Sequence, residues 1–257
     1  FSYSYPRISE IKEETRLDTG LYEKEFKQID FLIRNYGGGF ENVGKYKIKT
    51  GRTPKDYFYT KFIPNKTYFW LTPKYIKGNV FVSKQYLFTN QETNLQDEDL
   101  IFTGIGTGSQ GHMLFYDKKS LGKVYINQNA YAISMQEETK IKKIFTLCFL
   151  SSDFFKNTIQ NFTSKGSVPA IYPRDIAKLK IPNFPESKQQ EIAKLYYNPL
   201  EKNTGLDLEN YLEREHARNS EVGIFQLNME IFSLREQLED LVHKIVMEEK
   251  IELRFEY

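Results

Sequence analysis

The most regular pattern of apolar positions lies near the end of the chain. Ile224, Leu227, Ile231, Leu234, Leu238, Leu241 and Ile245 recur at alternating intervals of three and four. That is an a/d heptad seam on one face of a helix. Polar and charged residues, among them Glu230, Arg235, Glu236, Glu239, Asp240 and Lys244, fill most other faces. At 1.5 Å per residue the seam runs roughly 32 Å, long enough for a spacer rather than a cap. Each Leu or Ile is worth roughly 1.5–3 kcal/mol when buried, so a bare seam is costly and a partner helix is expected. The preceding segment carries Ile192, Leu195, Leu208 and Leu212 but is interrupted by Pro199 and Gly205. It can cover the seam only in part. The expectation is therefore antiparallel pairing with an equivalent helix in a second copy, or with a part of the protein outside this chain. An intrachain helical hairpin is the alternative.

The rest of the chain reads as mixed α/β. Leu21, Phe26, Ile29, Leu32 and Ile33 predict a helix over about 21–35, ended by Gly37-Gly38-Gly39. From about 43 to 135 the pattern turns to short β-rich runs, such as Tyr68-Phe69-Trp70-Leu71, Val80-Phe81-Val82, Leu100-Ile101-Phe102 and Val124-Tyr125-Ile126. Gly, Pro, Asn and Asp clusters separate them. Strand alternation divides Phe69 and Trp70 between core and surface. One helix is predicted over 139–161, then a strand-like Leu179-Lys180-Ile181-Pro182. Ser187, with Gln190 three residues on, reads as the capping box of the next helix.

Charge divides the chain near the same place. Residues 1–186 hold 27 Lys and Arg against 19 Asp and Glu, whereas residues 187–257 hold 9 against 15. Opposite signs suggest two parts, a domain over 1–186 and a helical region over 187–257. The basic excess is concentrated. Residues 45–84 contain ten Lys and Arg and a single acid, Asp56, interleaved with Tyr46, Tyr57, Phe58, Tyr59, Phe62, Tyr68, Phe69, Trp70 and Tyr75. Cations that neutralise phosphates, with planar and polar side chains between them, form the footprint of a nucleic-acid surface. A solvated lysine face over an aromatic β core is the plainer alternative.

Little in the sequence points to catalysis. Gly106, Gly108 and Gly111 fit G-x-G-x-x-G, but His112-Met113-Leu114-Phe115 continues as a strand. A phosphate- or S-adenosylmethionine-binding loop should open a helix there, so no cofactor is expected and a glycine-rich hairpin is the better reading. Asn198-Pro199-Leu200 lacks the second Pro and the aromatic of an adenine methyltransferase motif. Asp97-Glu98-Asp99 reads as a polar turn. Cys148, the lone cysteine, lies in an apolar run and is expected to be a buried, inert thiol. His112, His216 and His243 show no metal-ligand spacing. No apolar run approaches the length of a membrane span and no secretory leader is visible, so a cytoplasmic protein without a membrane partner is expected.

Several short strings, in order, resemble the repeated pattern of type I restriction–modification specificity subunits. They are Gly51-Arg52-Thr53-Pro54; Trp70-Leu71-Thr72-Pro73-Lys74-Tyr75-Ile76, with Tyr75 where the family usually has Asp; and Asp99-Leu100-Ile101-Phe102 leading to Gly106-Thr107. Asn127-Gln128 follows. The closing signature is Gly166-Ser167-Val168-Pro169, Leu179, Ile181-Pro182, Pro185, Gln190 and Ile192. Arg16-Leu17-Asp18 and Tyr22 look like the opening. Gly108-Ser109-Gln110-Gly111 departs from the usual Ile-Gly-Lys. The resemblance spans about 16–193. It implies a non-catalytic target-recognition domain that reads one half of a split site in double-stranded DNA, followed by a spacer helix. It also implies DNA adenine methyltransferase subunits that supply the chemistry and a restriction translocase subunit. A single domain and a single helix imply a half-subunit that dimerises, a fragment, or the recognition part of a fused type II enzyme. A methyltransferase active by itself is the more distant alternative.

Within that frame two loops are expected to read DNA. One holds Arg52, Thr53, Lys55, Tyr57 and Tyr59. The other holds Thr107, Ser109, Gln110 and His112. Arg52 matches guanine and Gln110 matches adenine in the major groove. Lys49, Lys61, Lys74 and Lys77 are expected at phosphates. For Thr53 and Pro54, simple turn formation is an equal alternative.

Overall fold

The architecture is taken from a computed structural model, which describes residues 7–14, 24–59, 67–82, 87–93, 95–106, 108–163, 168–205, 207 and 209–247. It is a mixed α/β fold with a long terminal helix. The described elements are α1 (Ile8–Glu14), α2 (Lys24–Arg34), β1 (Phe40–Asn42), β2 (Lys47–Thr50), β3 (Phe58–Tyr59), β4 (Tyr68–Leu71), β5 (Ile76–Lys77), β6 (Val80–Phe81), β7 (Leu87–Thr89), β8 (Leu100–Thr103) and β9 (Met113–Phe115). They continue with α3 (Lys118–Leu121), β10 (Val124–Ile126), β11 (Ala130–Ser134), α4 (Lys140–Leu150), α5 (Asp153–Phe162), α6 (Pro173–Ile176), β12 (Lys180–Pro182), α7 (Glu186–Tyr196), α8 (Tyr211–Glu221) and α9 (Ile224–Val246).

Two four-stranded sheets carry the domain. One runs β2-β11-β8-β9 and is antiparallel throughout; the other runs β10-β4-β7-β3, with β10 parallel to β4. Two small pairs, β1-β12 and β5-β6, flank them. In the first sheet the strands β8, β9 and β11 are buried along their whole length, whereas the edge strand β2 is partly exposed. Leu100, Ile101 and Phe102 are wholly buried, as are Ala132 and Ile133. The two faces of the second sheet differ. Phe69, Leu71, Phe88, Val124 and Ile126 join the main core, while Trp70, Leu87 and Tyr125 form a small separate cluster under Tyr68. Phe69 and Trp70 are therefore both buried, on opposite faces, where alternation alone placed one of them at the surface.

Inside the first sheet lies a buried charge. Asp99 is fully buried and accepts from Lys49 Nζ at 3.2 Å, Ser134 Oγ at 2.6 Å, Gln136 Nε2 at 3.1 Å and the Gln96 backbone N–H at 2.9 Å. A buried carboxylate is tolerated only with such a set of partners. It ties β2, β8 and β11 together.

Local sequence explains several boundaries. The single helix expected over 139–161 is two, because Ser151 and Ser152 compete with the helical backbone. Ser151 Oγ bonds back to Leu147 O, and Ser152 caps α5 by accepting from the Phe155 N–H. The capping box at Ser187 does not form. Pro185 stands at the N-cap with no side-chain cap, its carbonyl accepting from Lys188 and Gln189, so Ser187 lies within the first turn. The helix expected from residue 21 is described from Lys24 onward; residues 21–23, like Arg16, Leu17, Asp18 and Leu208, lie outside the described residues. The glycine segment leads into strand β9, not a helix. Cys148 is half-buried, and burial pushes its thiol up to about 12, which leaves it protonated and unreactive.

Helix α7 begins at Glu186, and its Ala193 and Tyr196 enter the main core. The last helix also enters it, but not through the heptad seam. Phe225 is buried, with Met229 and Phe232 packed beside it. The seam positions Ile224, Ile231, Leu234, Leu238 and Ile245 lie between 46% and 63% exposed, and Leu227 and Leu241 are half-buried. No intrachain hairpin covers them among the described residues.

Candidate nucleic-acid interface

The sequence strings that stood far apart meet at one end of the two sheets. β2 and β8 both finish there and β11 begins there, since Thr50 and Phe102 each stand opposite Tyr131. The loop after β2 is held by Gly51 N–H to Ala130 O at 3.0 Å and Arg52 N–H to Ile126 O at 3.1 Å. The turn at 127–129 is held to the end of β4 by Asn127 N–H to Leu71 O. Asn129 O accepts from both Gly104 and Ile105, which begin the glycine segment. Thr53 Oγ1 donates to the Gln128 side chain, joining two of those strings directly.

Close backbone approach explains two of the glycines. A Cβ on Gly51 would sit 2.1 Å from Asn127 O, and one on Gly104 would sit 2.0 Å from the Tyr131 ring. Neither gap admits a side chain, so both loops need glycine to dock. The closing string braces the glycine segment from the far side. Ile171 N–H bonds to Gly104 O, Ile105 bridges Ala170, and Gln110 Nε2 donates to Pro169 O at 2.9 Å.

The candidate residues fall into three groups. Arg52, Thr53, Lys55, Tyr57, Tyr59, Lys74 and Lys77 are exposed. Tyr57 lies over Trp70 with ring centroids 5.0 Å apart, so it continues the buried aromatic cluster out to solvent. Lys74 Nζ is 5.1 Å from the Tyr75 ring centre, and burial pushes the Tyr75 phenol up to about 12. The second group is half-buried and internally bonded. Ser109 Oγ bonds to Gly106 O, Gln110 to Pro169 O, and His112 Nδ1 pairs with Ile76 O at 3.0 Å. These three shape the glycine loop as well as line it. A cavity of about 150 Å³ opens beside Gln110 and His112, with Lys156 and Asp153 of α5 on its other wall.

Lys49 forms the third group alone. It was expected at a phosphate, yet its side chain is 10% exposed and its ammonium is held by Asp99 and Gln96. A cation committed to a buried carboxylate is a structural tie, because withdrawing it strands the carboxylate. Lys61 and Thr107 lie outside the described residues.

Sequence reading missed the second apolar stripe of α9. Phe225, Met229 and Phe232 recur at four and three and were a legible signal, masked by the longer and more regular seam beside them. It also missed Asn228, between them, which bonds to the backbone of β6.

A family model described as type I restriction modification DNA specificity domain matches residues 12–203. A comparison with curated proteins finds no match. Among solved structures, the S subunit of a type I restriction-modification system from M. genitalium is 18% identical, with a TM-score of 0.41 over 62% of this chain and 38% of that one. The HsdS subunit from Thermoanaerobacter tengcongensis is 13% identical, with a TM-score of 0.41 over 72% of this chain and 45% of that one. The match thus spans less than half the length of either subunit.

Proposed function

Because this chain belongs to the type I restriction modification DNA specificity domains, and is a non-catalytic specificity module, we propose that it reads one half of a split duplex DNA site. The loop cluster at the end of the two sheets is the reading surface. One observation carries this assignment. The Gly51–Pro54, Gly104–Ile105 and Asn127–Asn129 segments, dispersed in sequence, are bonded to one another and to Leu71 at the end of β4; Arg52 and Lys55 are exposed there with Tyr57, and Lys74 and Lys77 are exposed on the segment that follows β4.

Arg52 is the candidate for bidentate bonding to guanine O6 and N7, which its planar fork matches. Lys55, Lys74 and Lys77 neutralise phosphates and fix the register. Gln110 holds the glycine loop through Pro169 and turns the remainder of its amide toward an adenine edge. Lys49 has no part in contact. Methyltransferase subunits supply S-adenosylmethionine and base flipping, and a translocase subunit supplies cleavage. The exposed seam of α9 pairs antiparallel with an equivalent helix, in a second copy of this chain. A twofold pair then sets two identical domains at opposite ends of a palindromic split site.

The test is binding to duplexes at moderate salt in the presence of the methyltransferase partner. The expected result is a steep fall of affinity with salt and a persistent preference for one half-site. Equal binding across random duplexes contradicts the proposal. Calorimetry with S-adenosylmethionine is the companion measurement; a stoichiometric micromolar site on this chain alone would reinstate the enzyme reading.

A further inference from the structure

The last helix is fastened to the domain over its first half, and most of the fastening is apolar. Phe225 packs on Phe115, Tyr196 and Tyr197 with ring centroids 6.2, 6.0 and 5.5 Å apart. Two turns on, Phe232 lies 5.3 Å from Phe81. Contacts of this kind are non-directional and leave rotation and sliding of the helix weakly specified. Between them sit three directional contacts: Gln226 Oε1 accepts from the Asn198 N–H at 3.0 Å, Glu230 pairs with Arg218 of α8, and Asn228, alone of the three, reaches the sheet. The Phe81 N–H donates to Asn228 Oδ1 at 2.9 Å, and Asn228 Nδ2 donates to Phe81 O at 2.7 Å.

The backbone explains why an amide stands there. β6 pairs with β5 and, among the described residues, with no other strand. Phe81 is opposite Ile76, while its neighbour Val82 donates to Tyr75 O, so the Phe81 peptide groups point away from β5. Left alone they form an unpaired sheet edge under a helix. Asn228 offers one donor and one acceptor and satisfies both. It behaves as a one-residue strand. Farther along, Arg235 Nη1 reaches Val82 O at 3.5 Å.

The hairpin so gripped belongs to the reading surface. Lys77 is on β5, Gly78 O accepts from Met113 N–H at 2.9 Å, and His112 bonds to Ile76 O. A continuous path of hydrogen bonds therefore runs from the glycine loop through the β5–β6 hairpin to the axis of α9.

We propose that the Asn228–Phe81 amide pair is the positioning element that fixes the angle and axial register of α9 on the recognition domain, and so sets the number of unread base pairs between two half-sites. This rests on the DNA-reading assignment above. Asn228 touches no DNA; it acts through the helix.

Spin labels on cysteines at the exposed positions Lys118 and Glu239, in a Cys148→Ala background, report the helix angle in the full chain without DNA. The unaltered clamp should give one narrow distance distribution. Asn228→Ala should broaden it, with the undocked population rising about tenfold for two lost backbone partners. Asn228→Asp should do the same, since it keeps the acceptor but sets a carboxylate against the Phe81 carbonyl. Asn228→Gln keeps both groups on a longer arm, protects the fold if alanine does not, and should give a narrow but displaced distance. Distributions identical in all variants overturn the proposal.

Methylomes of cells carrying the complete system provide the functional readout. The parent should mark one split sequence with one spacing. Asn228→Ala should keep the half-site bases and admit spacings at least one base pair different. Unchanged spacing overturns the proposal, as does loss of the half-site bases together with the spacing. A parent that marks no split sequence overturns the DNA-reading assignment instead, and the label distances still decide the clamp.

Discussion

The central sheet and the terminal helix are both strongly patterned, and they spend their apolar residues differently. In β8 and β11, Leu100, Ile101, Phe102, Ala132 and Ile133 are wholly out of solvent. Along α9, Ile231, Leu234, Leu238 and Ile245 keep half or more of their surface exposed, although their spacing is the more regular. The difference teaches that periodicity reports a demand for burial without saying who meets it. The sheet is satisfied within the chain. Among the described residues the helix is satisfied through Phe225, Met229 and Phe232, while its heptad seam stays largely exposed.

The largest effects should fall on the sheet. Phe102→Ala is expected to cost about 3–5 kcal/mol, read as a shift of the denaturation midpoint, because it empties a fully enclosed site. A cost under about 1 kcal/mol would show that the sheet is as tolerant as the helix and would erase the contrast. Lys49→Ala should cost about 3 kcal/mol by the same measurement, since it leaves Asp99 buried without its cation. Were Lys49 instead a phosphate contact, stability would hold and DNA affinity would fall.

At the reading surface the expected effects are smaller. Arg52→Ala should leave stability within about 0.5 kcal/mol. It should cost about 1–3 kcal/mol of discrimination at one base position, seen as relaxed specificity in a binding-site selection. If both specificity and affinity stay unchanged, Arg52 is not a reading residue.

Placing Glu at both Leu234 and Leu238 should change chain stability least, within about 0.5 kcal/mol, because both are surface positions. The same pair should abolish self-association in sedimentation and leave the domain folded. A parent chain that remains monomeric at high micromolar concentration, with its helix intact, would break the comparison by showing that the stripe needs no partner.

The weakest expected effect is on pH dependence. Burial works to raise the Glu41 carboxyl, but hydrogen bonds from Lys142, Tyr46 and Lys45 outweigh it and hold the group below its ordinary 4.5. A depressed carboxylate contributes stability that is complete above its ordinary value and is lost as the pH falls through its folded one. Glu41→Gln should therefore lower stability at neutral pH, where the contribution is complete, and converge with the parent in acid, so that the limb below about pH 4.5 is flattened. An unchanged acid limb would exclude the network as its source.

Much of this protein was legible before any coordinates. The order of β-rich runs, the terminal helix, the basic and aromatic stretch and the family strings all follow from local rules: alternation, heptad spacing and the backbone demands of Gly and Pro. The strand after Gly111 is one example, since His112-Met113-Leu114-Phe115 offers no helical face. What local rules could not supply was which distant segments meet. That Thr53 reaches Gln128, that Lys49 turns inward to Asp99 and that Asn228 grips Phe81 depends on pairings across 75, 50 and 147 residues. The same holds for the two stripes of α9. Spacing marked the seam, but only the packed domain decided that Phe225, Met229 and Phe232 face inward beside β6 and α7, while the Leu and Ile stripe lies about 150° away round the helix.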